Sequence, residues 1–132
     1  TYKICPDLKQ NKFDIFLSEA WPSHERINVA QLKNFCFNYV VAFEHDNIVG
    51  FLNSLWDGNN HVYIIDLAVL PTHRRKKIGS ALVKNLLFIC ERYKISWVHV
   101  DFEDMHKDFY SKNGFSLTTS GLLQLKNLGP TL

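Results

Sequence analysis

The chain is poor in the residues that build disulfide frameworks and metal centres. Only Cys5, Cys36 and Cys90 are cysteines among 132 residues. They are odd in number, far apart and without a C-x-x-C pair. A disulfide scaffold or zinc site is therefore not expected, and a reducing, cytoplasmic compartment fits better. Six histidines, His24, His45, His61, His73, His99 and His106, show no H-x-x-x-H spacing. Solvated or locally bonded rings are the plainer account, and no metal is expected. No apolar run approaches the ~20 residues that span a bilayer, and no signal-peptide pattern opens the chain. Linkers, low-complexity runs and internal repeats are missing too, so one domain over 1–132 is expected.

Charge of one sign is also scarce: 15 Lys and Arg against 13 Asp and Glu leave a net charge of +2. What is present is apolar material. A hydrophobic fraction of 46% is enough for a sizeable core and excludes wholesale disorder.

Periodicity places the elements. Tyr2–Cys5 reads as a short opening strand. Phe13, Phe16, Leu17 and Ala20 recur at helical spacing until Trp21-Pro22 breaks them. A second short helix is expected to bury Val29, Leu32, Phe35 and Cys36. Tyr39–Phe43 and Ile48–Trp56 are β-rich runs around a polar turn. After the turn residues Asp57-Gly58-Asn59-Asn60, Val62–Leu70 reads as a central strand covered on both faces. From Ile78 the period turns helical, with Ile78, Leu82, Leu86, Ile89 or Cys90, and Tyr93 in one stripe. Lys94–Phe102 is the next strand, and a short helix near Met105–Lys112 ends at Asn113-Gly114. Phe115–Leu117 and Leu122–Leu125 are expected to close the chain as a hairpin. The sum is an α/β fold: one mixed, mostly antiparallel twisted sheet of six to seven strands, flanked by about four helices.

The most informative stretch is Val69-Leu70-Pro71-Thr72-His73-Arg74-Arg75-Lys76-Lys77-Ile78-Gly79-Ser80-Ala81-Leu82. A strand runs through a basic turn into the start of an amphipathic helix. Unpaired N–H groups and the helix dipole make such a place an anion site, and four adjacent cations strengthen it. A phosphate-bearing ligand is the physical expectation, and a merely solvated charge run is the alternative. The run is short, lacks interleaved aromatics and sits in a chain of pI about 8.4, so nucleic-acid binding is not expected.

This stretch resembles the cofactor signature V-x-P-x-x-R-G-x-G-I-G-x-x-L of the GNAT N-acetyltransferases, through Val69, Pro71, Arg74, Ile78, Gly79 and Leu82. Arg75 and Lys77 stand where that family has glycines. Phe109-Tyr110-Ser111-Lys112-Asn113-Gly114-Phe115 is similar to the family's F-Y-x-x-x-G-F segment, and further likeness extends the resemblance over roughly residues 39 to 125, with small bacterial members among the nearest in pattern. The resemblance implies a GNAT fold with acetyl-CoA as co-substrate. Leu67, Ala68 and Val69 would meet its pantetheine arm, and Arg74, Arg75, Lys76, Lys77, Ile78, Gly79 and Ser80 its pyrophosphate.

The resemblance also makes Tyr110 the candidate general acid, with packing on a short helix as the alternative. A phenol with an ordinary pKa of ~10 is a proton donor at neutral pH. Asp66 stands inside the apolar run Tyr63–Val69, where a charge must be paired or chemically employed. It is the candidate base for an amine nucleophile, and a structural ion pair is the other reading. Direct acetyl transfer to a small amine is the expected activity, with a degenerate acyl-CoA-binding scaffold as the alternative. Trp21, Phe35, Phe37 and Trp56 are candidates for the acceptor pocket. Open strand edges make a homodimer plausible.

Overall fold

The computed structural model describes residues 1–127. The elements in chain order are β1 (Tyr2–Ile4), α1 (Gln10–Ala20), α2 (Val29–Phe35), β2 (Tyr39–Glu44), β3 (Asn47–Trp56), β4 (His61–Val69), α3 (Ile78–Arg92), β5 (Trp97–Val100) and α4 (Lys107–Lys112). Short 3-10 turns lie at Pro71–His73, Asp104–His106 and Leu125–Asn127. The strands lie side by side in the order β1-β2-β3-β4-β5. All neighbours are antiparallel except the last pair, β4 and β5, which the crossover helix α3 makes parallel.

The sheet divides two cores. On one face α1 and α2 bring Phe13, Phe16, Leu17, Ala20, Val29 and Leu32 against Tyr39, Val41, Phe51 and Ala68. On the other, α3 sets Leu82, Val83, Leu86 and Cys90 on Val40, Ala42, Leu52, Val62 and Ile64. β2 shows the period of two cleanly, since Tyr39 and Val41 face one core while Val40 and Ala42 face the other. Gly50 on β3 makes room for α3: a β-carbon there would lie 3.0 Å from Ile78 Cγ2 and 3.1 Å from Leu82 Cδ1.

Five strands replace the six to seven expected. Phe115–Leu117 and Leu122–Leu125 form no strands, and Leu117, Leu122, Leu123 and Leu125 are all exposed. Apolar residues alone do not make a strand, which needs a neighbour's ladder, and the sheet runs only from β1 to β5. Four α-helices match the expected number. Phe35, expected on the buried face of α2, is 73% exposed, because a seven-residue helix has too few turns to bury a wide stripe. Tyr93, expected in the α3 stripe, is also exposed and caps the helix. β4 is covered more thinly than its composition implies. Tyr63 and Ile65 are exposed, so its outer half has helix cover on one face only.

β4 carries the irregularity that shapes the site. Asn53 pairs with Asp66, but Ser54 pairs with Ile64, so Ile65 is an extra residue without a partner on β3. Such a bulge shifts the inward and outward alternation by one. Before it Val62 and Ile64 face α3; after it Ala68 faces α1 and α2. Asp66 therefore joins the α1 side.

Candidate active site

The bulge also ends the pairing of β4 with β5. The parallel ladder runs from His61 opposite Trp97 to Ile64 opposite Val100 and no further. Residues 65–69 of β4 thus present a backbone edge that β5 does not cover. This is where Leu67, Ala68 and Val69 lie, and such an edge accepts an extended amide-bearing chain as a strand would. One of its carbonyls is already taken, since Arg74 Nε donates to Val69 O at 3.1 Å.

Beyond β4 the chain turns into α3. Ala81 N–H makes the first helical bond, to Lys77 O at 3.1 Å, so the N–H groups of Ile78, Gly79 and Ser80 before it have no partner within the helix. Arg75 has φ 65° and Lys77 has φ 63° with ψ 19°, both left-handed. These are the two positions at which glycines were expected from the signature. The backbone keeps the glycine-type turn although both residues carry a β-carbon, at roughly 1–2 kcal/mol each. Arg75, Lys76 and Lys77 are exposed and pair with no carboxylate among the described residues. Arg74 is employed differently. Besides holding Val69 O, its Nη2 donates to Ala20 O at 3.0 Å, so the guanidinium ties the turn to β4 and to the end of α1.

Gly79, which the resemblance sets among the pyrophosphate contacts, lies in the first turn of α3. A β-carbon there would meet Phe109 Cε1 and Cζ at 3.2 Å, so α4 closes on its α-carbon. Asn113 Nδ2 donates to Ser80 Oγ at 3.2 Å and completes the seam between α4 and the start of α3. That seam places Tyr110. Its ring stacks on Phe102 at 4.8 Å and meets Phe109 and Phe115 edge-on at 5.0 and 5.6 Å. Burial pushes the phenol up to about 12, so it stays protonated far above neutral pH. Tyr110 is thus a packed residue whose hydroxyl keeps its proton at neutral pH.

Asp66 is 7% exposed and paired. His24 Nε2 lies 2.6 Å from its Oδ1, and Asn53 Nδ2 donates to its Oδ2 at 3.5 Å. His24 comes from the connection between α1 and α2, where Trp21 packs edge-on against its ring at 4.6 Å. His24 was missed in the sequence because it lies 42 positions from Asp66 with no spacing to link them. Of the aromatics considered for the acceptor pocket, only Trp21 borders this cluster. Phe37 and Trp56 pack with Tyr93 at 5.2–5.7 Å, and Phe35 stands in solvent.

Two cavities of about 450 and 340 Å³ open elsewhere. The first is bordered by Thr1, Phe43 and Ile78, the second by Phe16, Glu44 and His73. Neither touches Asp66 or Tyr110, so the site rests on the β4 edge and the turn. Among the described residues no group of three or more His, Cys, Asp or Glu side chains is placed to hold a metal. No helix among them is long and apolar enough to cross a membrane.

A five-stranded mixed sheet whose fourth strand splays from the fifth, with an amide-rich turn opening the next helix, defines the acetyltransferase fold class. The acetyltransferase (GNAT) family profile matches residues 4–115, and the chain belongs to that family. Solved structures agree on the fold. A GNAT-family acetyltransferase from Streptococcus pneumoniae superposes with a TM-score of 0.76 at 25% identity, covering 94% of this chain and 96% of its own. Glucosamine-6-phosphate N-acetyltransferase from Arabidopsis thaliana gives 0.72 at 18% identity, over 94% and 97%. The aminoglycoside N-acetyltransferase AAC(6')-Iy, solved in complex with CoA, gives 0.73 at 13% identity, over 94% and 93%. Among curated proteins none matches the sequence.

Proposed function

We propose that this GNAT domain transfers an acetyl group from acetyl-CoA directly to a primary amine of a small acceptor. The observation that carries the reading is the uncovered backbone of residues 65–69 leading straight into the turn at Arg74–Ser80. The strand edge suits an amide-bearing arm, and the amides and free cations of the turn suit its phosphates. Acetyl-CoA supplies an activated thioester. The chain's part is to align that arm on β4, to accept the amine's proton at Asp66, and to hold a donatable proton on the Tyr110 hydroxyl for the departing sulfur.

A covalent acetyl-cysteine at Cys36 or Cys90 is disfavoured. Burial holds the Cys90 thiol up at about 11 and also raises Cys36, so neither ionises readily at neutral pH. A reducing cytoplasmic setting and a homodimer over an open strand edge belong to the same proposal.

The test is thiol release from acetyl-CoA across a panel of primary amines, alongside calorimetric titration with coenzyme A. Amine-dependent release is expected. Micromolar binding without release on any amine would favour an acyl-CoA-binding scaffold, and absence of binding would overturn the assignment.

A further inference from the structure

The polar cluster around Asp66 holds more than a proton acceptor. Both ring nitrogens of His24 are committed. Nδ1 lies 2.6 Å from Glu25 O, and a carbonyl only accepts, so Nδ1 carries a hydrogen. Nε2 lies 2.6 Å from Asp66 Oδ1 and holds that oxygen of the carboxylate. Asp66 keeps Oδ2 as its less engaged oxygen.

Asn53 faces Asp66 directly across β3 and β4. Its amide orientation is set by the carboxylate, because reversing it would bring two oxygens together. With Nδ2 toward Oδ2 at 3.5 Å, Asn53 Oδ1 is left buried and without a donor. It is the one such side-chain atom among the described residues. A buried acceptor with no donor is unfavourable by itself, which makes it informative beside a carboxylate oxygen.

We infer that Asn53 Oδ1 and Asp66 Oδ2 together receive the ammonium group of the acceptor, while His24 is the positioning residue that holds Asp66 by its other oxygen. The inference rests on the acetyl-transfer reading and deepens it. A primary ammonium brings three N–H donors and a positive charge, and the cluster offers a neutral acceptor and an anionic one. A tertiary ammonium has one donor and leaves Asn53 Oδ1 orphaned; an alcohol has one donor and no charge. On activation one N–H bond breaks and an O–H bond forms at Asp66 Oδ2, leaving the amine its lone pair for attack.

Two measurements test this. In the wild-type protein, n-butylamine is titrated against 1-butanol while the His24 ring and Asn53 side-chain amide are followed by NMR. Shifts with the amine alone are expected, and equal responses to both compounds would overturn the assignment. In the thiol-release assay, Asn53→Ala is expected to raise the amine KM at least ten-fold, with the affinity for coenzyme A unchanged. His24→Ala is expected to raise the amine KM and lower kcat, and His24→Gln, which keeps a donor, to recover part of both. Unchanged amine KM in Asn53→Ala and His24→Ala would refute the assignment. Amine-specific shifts without any acetyl transfer would sink the acetyl-transfer reading and leave the ammonium site standing.

Discussion

Lys77→Gly separates backbone strain from phosphate attraction at the most unusual position of the turn. Lys77 caps α3 at φ 63° and ψ 19° without a side-chain hydrogen bond to the helix. A β-carbon in that region costs roughly 1–2 kcal/mol. Glycine removes this strain but enlarges the freedom of the unfolded chain by about 0.5–1 kcal/mol. The net gain lies between about 0 and 1.5 kcal/mol, near 0.75 at the midpoints, a rise of roughly 2–4 °C in Tm for a domain this size. Lys77→Ala removes the same charge and keeps the β-carbon, so it should melt with the wild type. For coenzyme A both variants lose one exposed cation, worth no more than about five-fold in Kd. The assay is thermal melting of the three proteins with calorimetric titration of coenzyme A. If the glycine and alanine variants melt together, the strain argument is wrong. If either loses binding altogether, Lys77 is a principal anchor and the backbone amides are not.

Further outcomes follow from the same geometry. Tyr110→Phe should lower kcat at least ten-fold with coenzyme A affinity unchanged, and undiminished turnover would remove Tyr110 from the chemistry. Burial raises Tyr39 and Tyr110 to about 12, whereas an unfolded chain ionises them near 10. Their contribution to stability is therefore complete below pH ~10 and fades as pH rises toward 12; melting at pH 8 and 11 checks this, and Tyr110→Phe should flatten the fall. Gly50→Ala should destabilise by about 1–3 kcal/mol in a denaturant titration, since Ile78, Leu82 and Ala42 all lie within 3.3 Å of the new methyl. Gly79→Ala meets only the Phe109 ring, so it should act through the placement of α4 and lower kcat more than Tm.

The elements with strong periodic signals were legible. Phe13, Phe16, Leu17 and Ala20 are all buried as their spacing requires, and Leu82, Leu86 and Cys90 form the seam under which α3 crosses the sheet. The basic turn at Arg74–Ser80 was legible as a link from β4 into α3 because strand, cations and helix start are adjacent in the chain. Its interior was not. Arg74 looks like a phosphate ligand among its neighbours, yet two backbone carbonyls claim it. That Phe109 closes on the α-carbon of Gly79 has no signal in the chain, since the two lie thirty positions apart. Composition at the C-terminal end suggested a hairpin, but a run of apolar residues does not by itself make a ladder, and none forms at 115–117 or 122–125.

By itself the sequence determined which stretches become α1, α3 and the strands β2 to β4, that a basic turn precedes α3, and that a charge sits inside β4. These depend on neighbours along the chain, within reach of local sterics and hydrophobic period. Only the tertiary structure decided what that charge does. The extra residue Ile65 turns Asp66 from the α3 face to the α1 face, where His24 and Asn53 meet it. A bulge is a property of two paired strands, and a pair 42 residues apart exists only once both are folded against the same sheet.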